Sequence, residues 1–216
     1  MKKITIGLAA FFLALTIGDA VSTFTPLPAA EISAGAVAKP GAAAPDFTLT
    51  DSAGKKQSLS EYKGKVVVLE WINFDCPFVK KHYNSGNMQK LQDKYTKDGV
   101  VWLSINTSVA GGKGGHYVSD EVNAKLKQLK AHPTAYLQDD GTVGKLYGAT
   151  CTPHMFVIDK TGTLVYAGAI DDKDTADAAD VKTAHNYVAA ALDAQLSGKP
   201  IAVSSTKPYG CHVHYN

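Results

Sequence analysis

Arginine is absent: all twenty-two basic residues of the 216-residue chain are lysines. That excludes any mechanism needing a planar guanidinium fork on an anion or a peroxide, because a lysine ammonium acts only as a point charge. A surplus of one charge is lacking too. Twenty acidic residues leave a net charge of +2 spread along the chain, so there is no basic stripe and no nucleic-acid partner is expected. Cysteine is scarce and odd in number: Cys76, Cys151 and Cys211. At most one disulfide can close within the chain at a time, which excludes a disulfide scaffold and leaves redox machinery open. A CxxC pair is missing as well, since Val79 stands three residues after Cys76. The glycine-rich stretch Gly111-Gly112-Lys113-Gly114-Gly115 lacks the spacing of a phosphate-cradling P-loop and reads as a surface lid or connection.

Long apolar runs are also wanting. The longest, Ile4 to Ile17, falls short of the ~20 residues needed to span a bilayer. It follows Lys2 and Lys3 and precedes the small-x-small site Gly18-Asp19-Ala20, so residues 1–20 read as an export signal, with a membrane tether only if that segment stays uncleaved. Residues 21–40, rich in Ala, Pro, Ser and Gly, read as a flexible linker. The expected location is periplasmic or secreted, where disulfides are permitted.

What remains suits one domain over 41–197 followed by a tail over 198–216, and the 45% hydrophobic content is enough for a core. Short apolar runs alternate with helical stretches, as in a sheet covered by helices. Strands are expected near Phe47–Leu49, Val66–Ile72, Val100–Ile105 and Ala135–Leu137. A hairpin is expected over His154–Ile158 and Leu164–Gly168, around the turn Asp159-Lys160-Thr161-Gly162. Helices are expected over Pro77 to Tyr95, with a break at Ser85-Gly86-Asn87, and over Ser119–Lys130, Thr142–Tyr147 and Ala176–Leu196. The strand, helix and strand from Val66 to Ile105 form a right-handed βαβ unit with parallel strands.

Cys76 follows a buried strand and directly precedes Pro77, an early helical residue that needs no donor. This places its sulfur at an exposed helix N-terminus, where unpaired N–H groups and the helix dipole favour a thiolate. Lys80 adds positive charge nearby, whereas Asp75 opposes ionisation.

Three motifs together resemble the redoxin (AhpC/TSA-like) branch of the thioredoxin superfamily over about residues 41–196. They are Gly41-x-x-Ala44-Pro45-Asp46-Phe47-x-Leu49-x-Asp51, the Val66-Val67-Val68-Leu69 strand leading into Cys76-Pro77, and Thr152-Pro153 ahead of a strand. The resemblance implies an α/β, thioredoxin-like fold with a central mixed β-sheet flanked by helices. It also implies a cis-proline at Pro153 beside the nucleophilic sulfur. Thr152 would offer backbone hydrogen bonds to a bound thiol partner, and Pro77 would flank the same binding surface. Glu70, six residues before Cys76, stands where thioredoxins commonly keep a buried, proton-relaying acid. Strand parity could instead turn it to a surface or to a lysine.

The resolving sulfur is either Cys151, close in sequence to Pro153, or Cys211. The segment Lys207-Pro208-Tyr209-Gly210-Cys211 resembles a tail in relatives of this subgroup, and its Pro and Gly suit a mobile segment that folds back. Cys211 is therefore favoured, while Cys151 could equally be a buried small hydrophobe.

The expected activity is that of an exported thiol–disulfide oxidoreductase without cofactor or metal. Its partners would be thiol- or disulfide-bearing proteins and an external redox partner. The Cys76 thiolate attacks a disulfide, and Cys211, Cys151 or an external thiol resolves the mixed disulfide. One alternative is a peroxiredoxin-like peroxidase, but in place of the PxxxTxxC pattern this chain has Leu69 and Asn73 before Cys76. Another is a copper or metal chaperone, suggested by Cys211-His212-Val213-His214 with His82 and His154 as further ligands.

Overall fold

The central strands are buried on both faces. In the computed structural model, which describes residues 37–107 and 119–215, β1 (Thr48–Asp51), β2 (Lys56–Ser58), β3 (Val67–Trp71) and β4 (Val101–Thr107) are followed by β5 (Ala135–Asp139), β6 (Cys151–Thr152), β7 (His154–Ile158), β8 (Leu164–Gly168) and β9 (Cys211–His212). Seven of them form one mixed sheet in the order β2-β1-β5-β4-β3-β7-β8, and β6 pairs with β9. β3, β4 and β5 are mutually parallel, and β3 is antiparallel to β7. Every residue of β3, β4 and β7 is buried, the polar Glu70, Ser104, Asn106, Thr107 and His154 included, as in strands covered on both faces.

Strand parity divides the core. Val68 and Ile72 face one cluster, together with Tyr83, Met88 and Tyr95 from the helices α1 (Pro77–Asn84) and α2 (Asn87–Lys97), Val122 from α3 (Ser119–Leu129), and Val188 and Leu192 from α5 (Tyr187–Leu196). Val67, Leu69 and Trp71 face the other, with Phe47 and with Val143 and Tyr147 of α4 (Thr142–Tyr147). The break between α1 and α2 falls at Gly86, whose φ of 75° favours glycine.

The long final helix expected over Ala176–Leu196 is corrected. A 3-10 turn at Ala178–Lys182 ends at Thr183, and α5 begins afresh at Tyr187. Asp177 and Asn186 each cap a new N-terminus by accepting a backbone N–H from Ala179 and Ala189, a local competition that apolar periodicity does not register. The glycine-rich stretch 111–115, the N-terminal signal 1–20 and linker residues 21–36 lie outside the described residues.

The tail folds back over the sheet as a strap. It first meets the β8 edge, where Ala167 N donates to Ser204 O (3.1 Å) and Thr206 N donates to Ala167 O (3.2 Å). It then crosses the cis peptide Thr152–Pro153 as β9 and ends with Tyr215 hydrogen-bonded to the carbonyl of Ala149.

Candidate active site

Cys76 is the N-cap of α1, and Pro77 opens the helix. The turn before it is fixed by Asp75 N donating to Asn73 Oδ1 (2.9 Å) and Cys76 N donating to Asn73 O (3.1 Å). Asn106 holds the end of β3, its amide donating to Ile72 O at 2.8 Å. The helix start is as expected, but the exposure is not: Cys76 is only 2% exposed, because the strap lies over it.

The strap brings the three cysteines together. In the antiparallel β6–β9 pair, Cys151 stands opposite His212 and Thr152 opposite Cys211, and Val213 N continues the pairing to Thr150 O (3.0 Å). The Cys76 thiol donates to the carbonyl of Thr152 at 3.0 Å. Burial, with the neighbouring Cys76 thiol adding to it, pushes the Cys211 pKa up to about 12. Cys211 is the more accessible of the pair. Cys151 is buried, its thiol reaching only toward Pro153 O (3.8 Å), and burial pushes its pKa up to about 11. All three are free thiols. The Thr152 hydroxyl is buried without a hydrogen-bond partner among the described residues.

Gly210 permits this contact. Its φ is 133°, and a Cβ there would run into the Thr152 carbonyl, so a side chain would force the strap off the Thr152–Pro153 edge.

Glu70 is wholly buried on the α1/α2 side of the sheet, with no lysine partner among the described residues. It accepts from Trp102 Nε1 and Ser104 Oγ at 2.8 Å each, from Tyr83 OH at 3.1 Å and from Gln92 Nε2 at 3.5 Å. Desolvation raises its pKa above the usual carboxyl value, against the opposing effect of those four donors.

The two histidines weighed as extra ligands sit elsewhere. His82 contacts Tyr209 and Asn87, and His154 contacts the Thr150 N–H and the Phe156 ring. Burial lowers both pKa values to about 4. Among the described residues, no three His, Cys, Asp or Glu side chains are arranged to hold a metal.

Sequence reasoning passed over Lys81 and Asp171. Lys81, in the last turn of α1, has a fully buried side chain paired with Asp171 at 3.5 Å. A lone lysine on a helix carries no signal of burial, and Asp171 follows β8 in a run of acids that reads as solvated.

Residues 40–167 match the model of the AhpC/TSA family. Among similar proteins, a thiol-disulfide oxidoreductase ResA from Bacillus thuringiensis subsp. konkukian is 29% identical over 58% of this chain, which spans 66% of that relative's length. Another ResA, from Geobacillus kaustophilus, is 31% identical over 62% of this chain and 72% of its own. A solved structure of a hypothetical protein from Sinorhizobium meliloti superposes with a TM-score of 0.68 at 29% identity, covering 82% of this chain and 95% of that one.

Proposed function

Because the chain belongs to the AhpC/TSA family of the thioredoxin superfamily, we propose that it is an exported thiol–disulfide oxidoreductase whose redox pair is Cys76 and Cys211. The observation that carries this reading is the antiparallel pairing of Cys211 with Thr152, whose carbonyl accepts the Cys76 thiol. A neighbouring cysteine in a CxxC motif would serve the same purpose, and here the tail supplies the second sulfur from across the sheet end.

In the reductive direction the Cys76 thiolate attacks one sulfur of a partner disulfide, forming a mixed disulfide and releasing the other sulfur as a thiolate. Cys211, as thiolate, then attacks Cys76 Sγ, expels the second partner sulfur and closes Cys76–Cys211. Two protein thiols are oxidised and one disulfide is reduced to two thiols, which take up the two protons. The oxidative direction is the reverse. Since Cys211 covers Cys76, a protein partner reaches Cys76 only when β9 lifts from the Thr152–Pro153 edge, which it would then occupy itself.

The test is thiol trapping with peptide mass spectrometry of the mature protein, equilibrated in oxidising and reducing glutathione buffers. A reversible Cys76–Cys211 link, and loss of protein-disulfide reduction in Cys76→Ser, are expected. A link through Cys151, or three thiols that stay free under oxidant while copper co-purifies, would overturn the reading. The same spectra give the mature N-terminus, and one that still begins at residue 1 would count against export with cleavage.

A further inference from the structure

We propose that Lys81, Asp171 and Tyr209 form a buried latch that positions Cys211 against Cys76, an inference that rests on the Cys76–Cys211 pairing above. Tyr209 stands two residues before Cys211 and is 8% exposed. Its hydroxyl donates to Asp171 Oδ1 and is approached by Lys81 Nζ at 3.5 Å and by His82 Nε2 at 3.3 Å.

The four groups satisfy one another in a definite order. Asn87 donates its amide to His82 Nδ1 (2.9 Å), so the neutral ring carries its proton on Nε2 and donates it to the Tyr209 oxygen. That oxygen in turn gives its own proton to Asp171. Lys81 completes the set by donating to the Lys173 carbonyl and pairing with Asp171. The Lys81 ammonium also lies 5.3 Å from the centre of the Tyr209 ring, which meets Phe78 on its other contacts.

Three separate pieces of chain meet here, and two of them carry the sulfurs. Lys81, His82 and Phe78 belong to α1, the helix whose N-cap is Cys76, while Tyr209 belongs to the strap that carries Cys211. Asp171 anchors both to the segment after β8. A buried ion pair of this kind is seldom the cheapest way to stabilise a core, since well-packed apolar residues commonly do as well. Its hydrogen bonds are directional, however, and here they fix a tyrosine hydroxyl that an apolar residue could not locate. Asp171 Oδ2 has no hydrogen-bond partner among the described residues and lies 3.9 Å from His82 Nε2. The cluster therefore gives up some solvation of that oxygen to hold the tyrosine.

These are positioning residues: among the described residues none of their hydrogen bonds or ion pairs goes to a sulfur, and they act by raising the effective concentration of one thiol at the other. The equilibrium is protein dithiol plus oxidised glutathione giving protein disulfide plus two reduced glutathiones, and its constant reads that effective concentration directly.

The experiment compares full-length wild type, Tyr209→Phe, Asp171→Asn and Cys211→Ser in glutathione buffers, with the linked peptides identified by mass spectrometry. Tyr209→Phe keeps the ring packing and removes only the hydroxyl, and thermal unfolding of the reduced forms reports on the fold. We expect the Cys76–Cys211 constant to fall at least tenfold in Tyr209→Phe, about 30 mV for this two-electron couple, with a similar or larger fall in Asp171→Asn. If both variants fold and keep the wild-type constant, the latch is overturned and the redox pair stands. If wild type forms no Cys76–Cys211 link, or Cys211→Ser leaves the disulfide signal unchanged, the redox pair falls and the latch with it.

Discussion

Cys211 stands opposite Thr152 in an antiparallel pair whose Thr152 carbonyl also accepts the Cys76 thiol. One peptide unit, at the cis Thr152–Pro153 bond, thereby holds the helix-borne sulfur and the tail-borne sulfur together. The buried state of Cys76 follows from this.

Gly210→Ala should uncover Cys76. The substituted residue would have to keep a φ of 133° and place its Cβ against the Thr152 carbonyl, a clash with backbone that no rotamer relieves. The strap is expected to lift locally while the sheet stays intact. Alkylation of Cys76, followed by mass spectrometry in native buffer, should accelerate at least tenfold, and the yield of the Cys76–Cys211 link should fall. An unchanged alkylation rate would mean that the strap does not control access.

Cys151→Ala should leave the redox pair working. Cys151 is buried with its thiol turned toward Pro153 O, whereas the cysteine that stands across from Thr152 in the β6–β9 pair is Cys211. The variant is expected to form the Cys76–Cys211 link within about twofold of wild type in the same glutathione buffers. A large loss would move the resolving role to Cys151.

Much of this arrangement was legible in the chain, and the rest was hidden for definite reasons. β3, β4, β7 and β8 stand out because their apolar runs are long enough to exceed any local noise, and Gly86 marks the break between α1 and α2. β2, β6 and β9 are two or three residues long with polar members, so they exist through pairing and carry no period of their own. Cys76 stood out through Cys76-Pro77, and Cys211 was a candidate through the resemblance of its tail segment to relatives, with Cys151 open beside it. The covering of Cys76 did not show, because a helix N-terminus is exposed unless something distant lies on it. Lys81 and Asp171 were illegible for a related reason: each looks solvated until the fold brings them together.

Hydroperoxide should be a poor substrate. The chain has no arginine to polarise a peroxide, and Cys76 lies beneath Cys211 rather than open to a small oxidant. Stopped-flow measurement of Cys76 oxidation by hydrogen peroxide is expected to give a rate constant within about tenfold of a free thiol at the same degree of ionisation. A rate a thousandfold or more above that would establish peroxidase chemistry and displace the disulfide-exchange reading.

The pH dependence of stability should carry the mark of Glu70. Its pKa is raised in the folded chain by burial, with the four donors opposing the shift, so the folded state holds a proton that the unfolded state has already released. The stabilisation is fully present below the ordinary glutamate value of 4.5, and it is lost as pH rises from there through the raised folded value. Above that the carboxylate is ionised in both states and the dependence flattens. Within the window the slope approaches about 1.4 kcal/mol per pH unit. Glu70→Gln cannot release a proton and should lose this slope, although turning an amide N–H toward Trp102 Nε1 or Ser104 Oγ costs about 1–3 kcal/mol at all pH values. Urea unfolding of reduced wild type and Glu70→Gln between pH 4 and 8 separates the two effects, since the donor mismatch shifts the whole curve and the proton changes its shape. Parallel curves would show that Glu70 stays ionised in the fold, held by its four donors.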